Sequence, residues 1–322
     1  MDYRRLASEL VRQLRGKRSQ LALSRHLGYR SNVVRTWEAG RRFCKVSVFF
    51  RLCERSGVGR EVVLDALYRD VPEPLLAEPW TSPTFAGHLL DDLRGSNSIL
   101  TVAQKAQVNR YTTSRWLSGT AEPSLPEFLL MLDAVSLRML DFISAIVDPA
   151  KVPAVAHAWR QMEAARSVAR RFPWSHAVLR VLELNEYREL QEHRPGFIAR
   201  RLGIAMEQEV ECLLLLAESG QIVKEGTRWV AGELQHIDMR SSTQDTSALR
   251  LWWAQTGVDH IRQGKRGQFS YNLFTVSTDD FARLKSLHLS YFRQVRSIIS
   301  QSTSADHVVV ANVQLFELGD ET

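Results

Sequence analysis

Apolar residues recur at helical spacing through the first quarter of the chain. Their spacing predicts one helix over residues 3–14 and a second over residues 20–27, for which Ser19 is a favourable N-cap. Gly28 ends the second helix, and a third is predicted over residues 31–38. Two short helices joined by a tight turn make a helix-turn-helix. The residues expected to hold its helices together in the core are Leu23, Leu27, Val34 and Trp37.

The same pattern returns 79 residues further along the chain without a gap. The triplet Leu14-Arg15-Gly16 matches Leu93-Arg94-Gly95. In the same register, Trp37 matches Trp116. A matched triplet followed by a matched tryptophan is hard to obtain by chance, so we predict two copies of one helical domain.

A third module with a different pattern follows the second copy. A helix is predicted over residues 172–190, and the last helix of the module over residues 206–218. Two strands over residues 222–224 and 228–230, joined through Glu225-Gly226-Thr227, would form a wing. The pattern therefore predicts a winged helix.

Charge decides the role expected of this winged helix. The polar side of its would-be recognition helix offers Glu207, Gln208, Glu209 and Glu211. Carboxylates in the major groove would face the phosphates uncompensated, which opposes DNA binding. We therefore expect the module to serve dimerisation or the docking of the final segment.

The final segment is predicted to form a small α+β unit. Helices are expected over residues 247–261 and 278–299, and strands over residues 268–276 and 307–318. The whole chain is thus predicted to be mainly α with small β elements (α+β). Its predicted domains are two tandem helix-turn-helix domains (residues 1–72 and 80–148), a winged helix (156–232) and a C-terminal α+β unit (233–322).

The formal net charge of +6 is distributed unevenly along the chain. Residues 1–75 have a balance of +8, residues 76–150 of −3 and residues 151–322 of +1. A compact basic domain attached to a near-neutral remainder is typical of a protein that binds nucleic acid. A solvated surface rich in arginine is the alternative that charge alone leaves open.

Two segments of the first domain match a known pattern: Ser19-Gln20-Leu21-Ala22-Leu23-Ser24-Arg25-His26-Leu27-Gly28 and Trp37-Glu38-Ala39-Gly40. Through them the domain resembles the phage-repressor-type helix-turn-helix family. The resemblance implies that Gln20 contacts a phosphate and that the start of the third helix reads bases in the major groove. The base-reading candidates by position are Ser31, Asn32 and Arg35, with Arg30 beside them where the family has a capping Ser or Thr. The phosphate-contacting candidates just past the third helix are Arg41, Arg42 and Lys45.

The second copy departs from this pattern. Ile99 stands at the position of Gln20, and Gln107 at that of the turn glycine. Thr113 stands where the first copy has Val34. Its third helix still offers a polar and basic surface, formed by Arg110, Tyr111, Ser114 and Arg115. The roles left open for this copy are contact with DNA, support of the first copy, or a dimer contact.

Three motifs mark the C-terminal half: Gly196-Phe197-Ile198-Ala199, Arg266-Gly267-Gln268-Phe269-Ser270 and Asn312-Val313-Gln314-Leu315-Phe316-Glu317-Leu318. Through them the chain, from about Trp174 onward, resembles a bacterial family of transcriptional regulators whose C-terminal domain has no assigned function. The family usually has Pro where Glu317 stands, and one N-terminal helix-turn-helix instead of two. The resemblance implies DNA-linked regulation and supplies no ligand and no catalytic residue.

The sequence contains no motif of a catalytic or cofactor site. Phosphate-binding, dinucleotide-binding, zinc-peptidase and serine-hydrolase signatures are absent. The cysteines Cys44, Cys53 and Cys212 are too few for a disulfide scaffold and indicate a reducing compartment. The chain starts without an apolar leader, and charged residues interrupt its most apolar window, residues 128–147. We therefore expect a non-enzymatic cytoplasmic protein without catalytic residues, metal, cofactor or membrane contact.

These observations predict a sequence-specific DNA-binding transcriptional regulator. Its partner would be double-stranded DNA, read by residues 31–38, and it would act as a homodimer. The C-terminal half would set the dimer and could sense an unidentified small-molecule or peptide effector. The alternative is a non-catalytic adaptor that uses its helix-turn-helix folds for protein contacts.

Overall fold

The computed structural model describes residues 1–68, 71–95, 97–136, 138–232 and 243–319. Within these ranges the chain is mainly helical, with one antiparallel sheet of two strands. This confirms the predicted class, mainly α with small β elements. The described residues form two compact units, one from Met1 to Ala164 and one from Ala165 onward. No helix in these ranges is both long and apolar enough to cross a membrane.

The first copy of the repeat folds largely as its sequence predicts. Its helices are α1 (Tyr3–Arg15), α2 (Gln20–His26), α3 (Val33–Glu38), α4 (Val46–Arg55) and α5 (Arg60–Leu67). Ser19 caps α2, because its Oγ accepts a hydrogen bond from the Ala22 N–H (3.1 Å). The four predicted core residues, Leu23, Leu27, Val34 and Trp37, are all buried.

The third helix begins later than predicted. It starts at Val33 instead of Ser31, because Asn32 is its N-cap: the Asn32 Oδ1 accepts a hydrogen bond from the Arg35 N–H (3.3 Å). Arg30, Ser31 and Asn32 therefore lie in the turn between α2 and α3 and not in the first turn of α3.

A short helix, α6 (Glu73–Ala77), leads into the second copy. The helices of that copy repeat α1–α5 in the same order: α7 (Phe85–Arg94), α8 (Ile99–Ala106), α9 (Arg110–Leu117), α10 (Leu125–Val135) and α11 (Met139–Ile146). A single 3-10 turn, Pro149–Lys151, follows. Thr113, which stands at the position of Val34, is fully buried as its place in the repeat requires.

The two copies share one continuous hydrophobic core. Helix α1 packs against α10, and α5 packs against α11. Phe50 lies at the centre of an aromatic cluster, with ring centroids 4.9 Å from Trp80 and 5.8 Å from Phe128. Since Phe128 belongs to the second copy, neither copy buries its apolar face alone.

The second unit begins within α12 (Ala156–Arg171), whose first residues belong to the first unit. Its further elements are α13 (Ser175–Glu183), α14 (Asn185–Arg188), α15 (Phe197–Leu202), α16 (Met206–Glu218), β1 (Ile222–Glu225), β2 (Arg228–Ala231), α17 (Thr243–Arg262) and α18 (Thr278–Gln301). The two predicted strands are present and pair as an antiparallel hairpin, one residue longer in each strand than predicted: Ile222 lies opposite Ala231 and Glu225 opposite Arg228.

The single helix predicted over residues 172–190 is wrong. Leu184 adopts an extended backbone (φ −57°, ψ 138°) that separates α13 from α14. The Asn185 N–H donates to the Ala305 carbonyl (2.9 Å) instead of to a carbonyl one helical turn earlier. A contact distant in sequence therefore breaks the helix.

The strands predicted over residues 268–276 and 307–318 are absent as well. All side chains of residues 268–276 are exposed, and in residues 307–318 only Val308 and Leu315 are partly buried. Neither segment pairs with a strand in the described part of the chain. A strand needs a neighbour to bond its N–H and C=O groups, and the hydrophobic pattern supplies no such neighbour.

Candidate nucleic-acid interface

Ser24 joins the two helices of the first helix-turn-helix. This buried serine shares its single hydroxyl hydrogen between the Gln20 carbonyl (2.8 Å) and the Asn32 Oδ1 (3.3 Å), and it accepts from the Val34 N–H (3.1 Å). One hydroxyl thus contacts α2, the turn and α3. The three bonds fix the angle at which α3 leaves the turn.

A buried carboxylate lies beneath this motif. Glu38, at the end of α3, is only 7% exposed. It accepts hydrogen bonds from the Arg15 Nε (2.5 Å) and the Gln20 Nε2 (2.8 Å), and the Arg12 Nε lies 3.9 Å away. The hydrogen bond to Glu38 raises the pKa of Arg15, so the Arg15 guanidinium stays charged. Gln20, the predicted phosphate contact, is half-buried and oriented by Glu38.

Cations dominate the exposed surface around the motif. Residues 17–45 contain eight basic side chains and a single acidic one, Glu38. All eight are exposed: Lys17, Arg18, Arg25, Arg30, Arg35, Arg41, Arg42 and Lys45. None of them forms an ion pair with another described residue, and Glu38 is buried against arginine. We call these eight side chains the cationic surface.

The predicted base-reading residues fall into two groups on this surface. Arg35 is exposed on α3 itself, whereas Arg30 and Ser31 are exposed in the turn that precedes it. Asn32 is half-buried and its Oδ1 is already bonded to the backbone of α3 and to Ser24. Only its Nδ2 group is therefore left to contact a base.

The predicted phosphate contacts also differ from one another. Arg41 and Arg42 are exposed just after α3, where both backbone N–H groups donate to the Thr36 carbonyl (3.0 and 3.3 Å). The Lys45 Nζ instead donates to the carbonyl of Glu122 (2.6 Å), a residue of the second copy. Lys45 therefore lies where the two copies meet. Lys17, Arg18 and Arg25 complete the surface, although the sequence interpretation did not select them.

The second copy presents its own exposed polar residues on α9. Asn109 caps α9 by accepting from the Tyr111 N–H (2.8 Å). Arg110 and Tyr111 are exposed, and the guanidinium carbon of Arg115 lies 5.8 Å from the centre of the Tyr111 ring. Ser114 is half-buried beside them. Because α9 begins two residues earlier in the repeat than α3, its first turn replaces the turn that holds Arg30, Ser31 and Asn32 in the first copy.

Helix α16 of the second unit has a different surface. Glu209, predicted on the polar side of α16, is instead fully buried. Its carboxylate accepts from the Gly196 N–H (3.2 Å) and the Ala199 N–H (2.6 Å), and so caps α15, where these N–H groups have no helical partner. The exposed face of α16 carries an apolar stripe, formed by Met206, Val210 and Leu214.

Taken together, the described residues define a mainly helical protein with one two-stranded antiparallel sheet, two copies of a five-helix repeat and a cationic surface on the first copy. The model of one protein family, described as a domain of unknown function (DUF4423), matches residues 154–318. This is just over half of the chain, so the chain belongs to that family. The predicted C-terminal domain of unknown function is thereby confirmed. The resemblance of residues 19–40 to phage-repressor-type proteins lies outside the matched residues and stays a prediction.

No curated protein and no solved structure matches the chain. In the described residues no cluster of His, Cys, Asp and Glu side chains could hold a metal ion. The three cysteines are buried, and burial raises the pKa of the Cys44 and Cys212 thiols to about 12. The cationic surface is therefore the feature on which a functional proposal can best be built.

Proposed function

We propose that the protein is a sequence-specific DNA-binding transcriptional regulator whose main reader is the first helix-turn-helix. The observation that carries this proposal is the cationic surface. It presents eight exposed cations, and the one carboxylate of the same segment, Glu38, is buried in an ion pair with Arg15. Clustered cations neutralise DNA phosphates, and release of the bound counterions drives binding. A solvated arginine-rich surface would have no need to bury its only carboxylate.

The residues divide into two roles. Arg35 on α3, with Arg30 and Ser31 in the preceding turn, would contact base edges in the major groove, where Arg pairs with guanine through two hydrogen bonds. Arg41 and Arg42, after α3, would contact phosphates and set the register of the helix. Gln20, held by Glu38, would add a contact at the start of α2.

Salt-dependent binding of the full chain to duplex DNA tests these roles. Arg41→Ala should weaken binding to all sequences and reduce the slope of log K against log salt by about 1. Arg35→Ala should cost roughly 1–3 kcal/mol on the preferred sequence and relax base preference. As a control, Arg250→Ala removes an exposed arginine of the second unit and should change neither the salt dependence nor the base preference of binding.

The proposal is wrong if the unmodified chain shows no salt-dependent binding to DNA. That outcome would favour the adaptor alternative, which the exposed stripe of Met206, Val210 and Leu214 on α16 supports.

We further propose that the C-terminal half makes the protein a homodimer. Of the 27 large apolar side chains that are exposed among the described residues, 17 lie between Leu251 and Leu318. Five of these are aromatic, and an aromatic side chain removes about 150–250 Å² from water when it is enclosed. The set therefore exposes on the order of 1,000 Å² per chain, and two chains would bury about twice that, within the range of obligate homodimers.

Light scattering after size exclusion tests the dimer without DNA. Tyr271→Asp and Phe316→Asp place charges in the two extended segments, at side chains that are 92% and 67% exposed. Because neither residue belongs to a core cluster, the charges should not unfold the chain. Both should convert a dimer to a monomer, while the matched control Val62→Asp, in the first unit, should remain a dimer. A monomeric unmodified chain at micromolar concentration would contradict the proposal.

A further inference from the structure

The two copies of the helix-turn-helix meet through a reciprocal pair of hydrogen bonds. The Leu125 N–H donates to the Cys44 carbonyl (2.9 Å), and the Val46 N–H donates to the Pro123 carbonyl (3.4 Å). Residues 44 and 123, and residues 46 and 125, are each 79 positions apart, which is the repeat distance. Exchanging the copies therefore turns one bond into the other.

The residues between these bonds form an antiparallel bridge, Lys45 opposite Ser124, and they too occupy equivalent positions of the repeat. An antiparallel contact of a segment with its own equivalent requires a local two-fold axis. A head-to-tail repeat would bring different surfaces of the two copies together and could not produce this bridge.

The helix packing agrees with a two-fold axis. In the repeat, α7 is the equivalent of α1, and α10 is the equivalent of α4. Helix α1 contacts α10, and the symmetry-equivalent pair, α7 and α4, is also in contact. The pairs α4 with α10 and α5 with α11 are each formed by equivalent helices, as they must be at an axis. Two copies in one polypeptide are thus arranged as the subunits of a symmetric dimer are.

We propose that a single chain recognises two half-sites of opposite direction in duplex DNA, one through α3 and the other through α9. This inference rests on the proposed DNA-binding function and adds to it the orientation of the sites. A two-fold axis that relates two reading helices relates their half-sites in the same way, so the half-sites form an inverted and not a direct repeat.

The two half-sites are expected to be unequal. The position of Arg35 is occupied in the second copy by Ser114, and that of Ser31 by Arg110. Beyond its first turn α9 carries one arginine, Arg115. It lies one residue after Ser114, the equivalent of Arg35. Because different side chains present hydrogen-bond donors at different places, the helices should prefer different bases.

Affinity should also be divided unequally between the half-sites. The segment equivalent to the cationic surface, residues 96–124, holds three basic residues, Lys105, Arg110 and Arg115, against the eight of the first copy. The first copy would therefore supply most of the attraction to phosphate. The second would mainly add sequence preference next to a site that is already bound.

Selection of bound duplexes from a random library by the full chain tests this inference. The expected motif has two half-sites of opposite direction and different sequence. Arg35→Ala should reduce preference at one half-site by roughly tenfold to a hundredfold. Arg115→Ala should do the same at the other half-site and leave the first unchanged.

The two variants separate this arrangement from a dimer of chains that each read through α3 alone. In that case Arg35→Ala would affect both halves of the motif equally and Arg115→Ala neither, which would overturn the inference. A single half-site or a direct repeat would overturn it too, with the proposed function intact. If no sequence is enriched and no salt-dependent binding occurs, the proposed function fails and not only the orientation.

Discussion

The two helix-turn-helix copies fill the same buried position with opposite chemistry. In the first copy the position holds Glu38, which is bonded to Arg15 and Gln20. In the second it holds Leu117, which is 3% exposed, and Ile99 replaces Gln20. One backbone arrangement thus accommodates a buried ionic cluster and a pair of aliphatic side chains.

The arginine beside this position behaves alike in both copies. The Arg15 Nη1 donates to the Arg18 carbonyl (2.7 Å), and the Arg94 Nη1 donates to the Asn97 carbonyl (2.8 Å). The arginine at the end of the first helix thus makes the same carbonyl contact with or without a carboxylate at the position of Glu38. Buried ion pairs add little net stability compared with apolar side chains of similar size. The carboxylate is better explained by the orientation that it imposes on Gln20 at the edge of the cationic surface.

The largest effect that this comparison predicts is at Gly87. In the first copy the equivalent residue is Ser8, whose Oγ donates to the Trp37 carbonyl (2.9 Å). In the second copy the helices are closer, and a Cβ on Gly87 would lie 2.3 Å from the Trp116 carbonyl oxygen. We expect Gly87→Ser to lower the free energy of unfolding by about 3 kcal/mol, because the backbone must move apart.

The urea midpoint of the full chain, with hydrogen exchange of peptides from α7 to α9, measures this loss. Ser8→Ala is the matched control, since it removes only the hydroxyl bond and should cost about 1 kcal/mol. Equal midpoints for the two variants would show that the difference in helix spacing has no energetic consequence.

A smaller effect is expected at Glu38. Glu38→Gln should lower the free energy of unfolding by about 2 kcal/mol, because Arg15 is left partly buried without a counter-charge. Replacing Glu38 by Leu and Gln20 by Ile together, as in the second copy, should recover most of the loss. If the double variant is stable yet binds DNA more weakly than Glu38→Gln, the Gln20 side chain serves binding and not stability. Full recovery of both properties would contradict that role.

The smallest effect concerns the turn between the second and third helices. Gly28 has φ +88° in the first copy, and Gln107 keeps a left-handed backbone (φ +52°) at the equivalent position. A side chain in this conformation costs about 1 kcal/mol. Gln107→Gly should therefore stabilise the chain by about that amount, and Gly28→Gln should destabilise it similarly, since nothing lies within 4 Å of a Cβ there. Thermal unfolding of both variants checks this: the melting temperature should rise for Gln107→Gly and fall for Gly28→Gln.

The sequence was most informative where structure depends on neighbouring residues. The repeat, the Ser19 cap, the buried face of the first helix-turn-helix and the two-stranded hairpin all follow from local spacing. The start of α3 was missed because Ser31 and Asn32 are both good caps, and the bond between Asn32 and Ser24, eight residues earlier, favours Asn32.

The remaining errors have causes that are distant along the chain. Leu184 breaks a predicted helix because the next N–H bonds to the Ala305 carbonyl. Glu209 is buried because it caps α15, although its position on α16 resembles an exposed acidic face. The strands over residues 268–276 and 307–318 are absent because no described segment pairs with them. For the candidate site, sequence alone indicated which residues carry the charge but not the burial of Glu38 or the place of Lys45.

The reciprocal bridge between Lys45 and Ser124 has a further consequence for how the protein responds to dilution. Two helix-turn-helix domains on separate polypeptides dissociate from each other when their concentration falls below the dissociation constant of the pair. Here the polypeptide itself keeps each partner at a high effective concentration for the other. The symmetric pair therefore persists however few copies are present, and scarcity can affect only the association of whole chains.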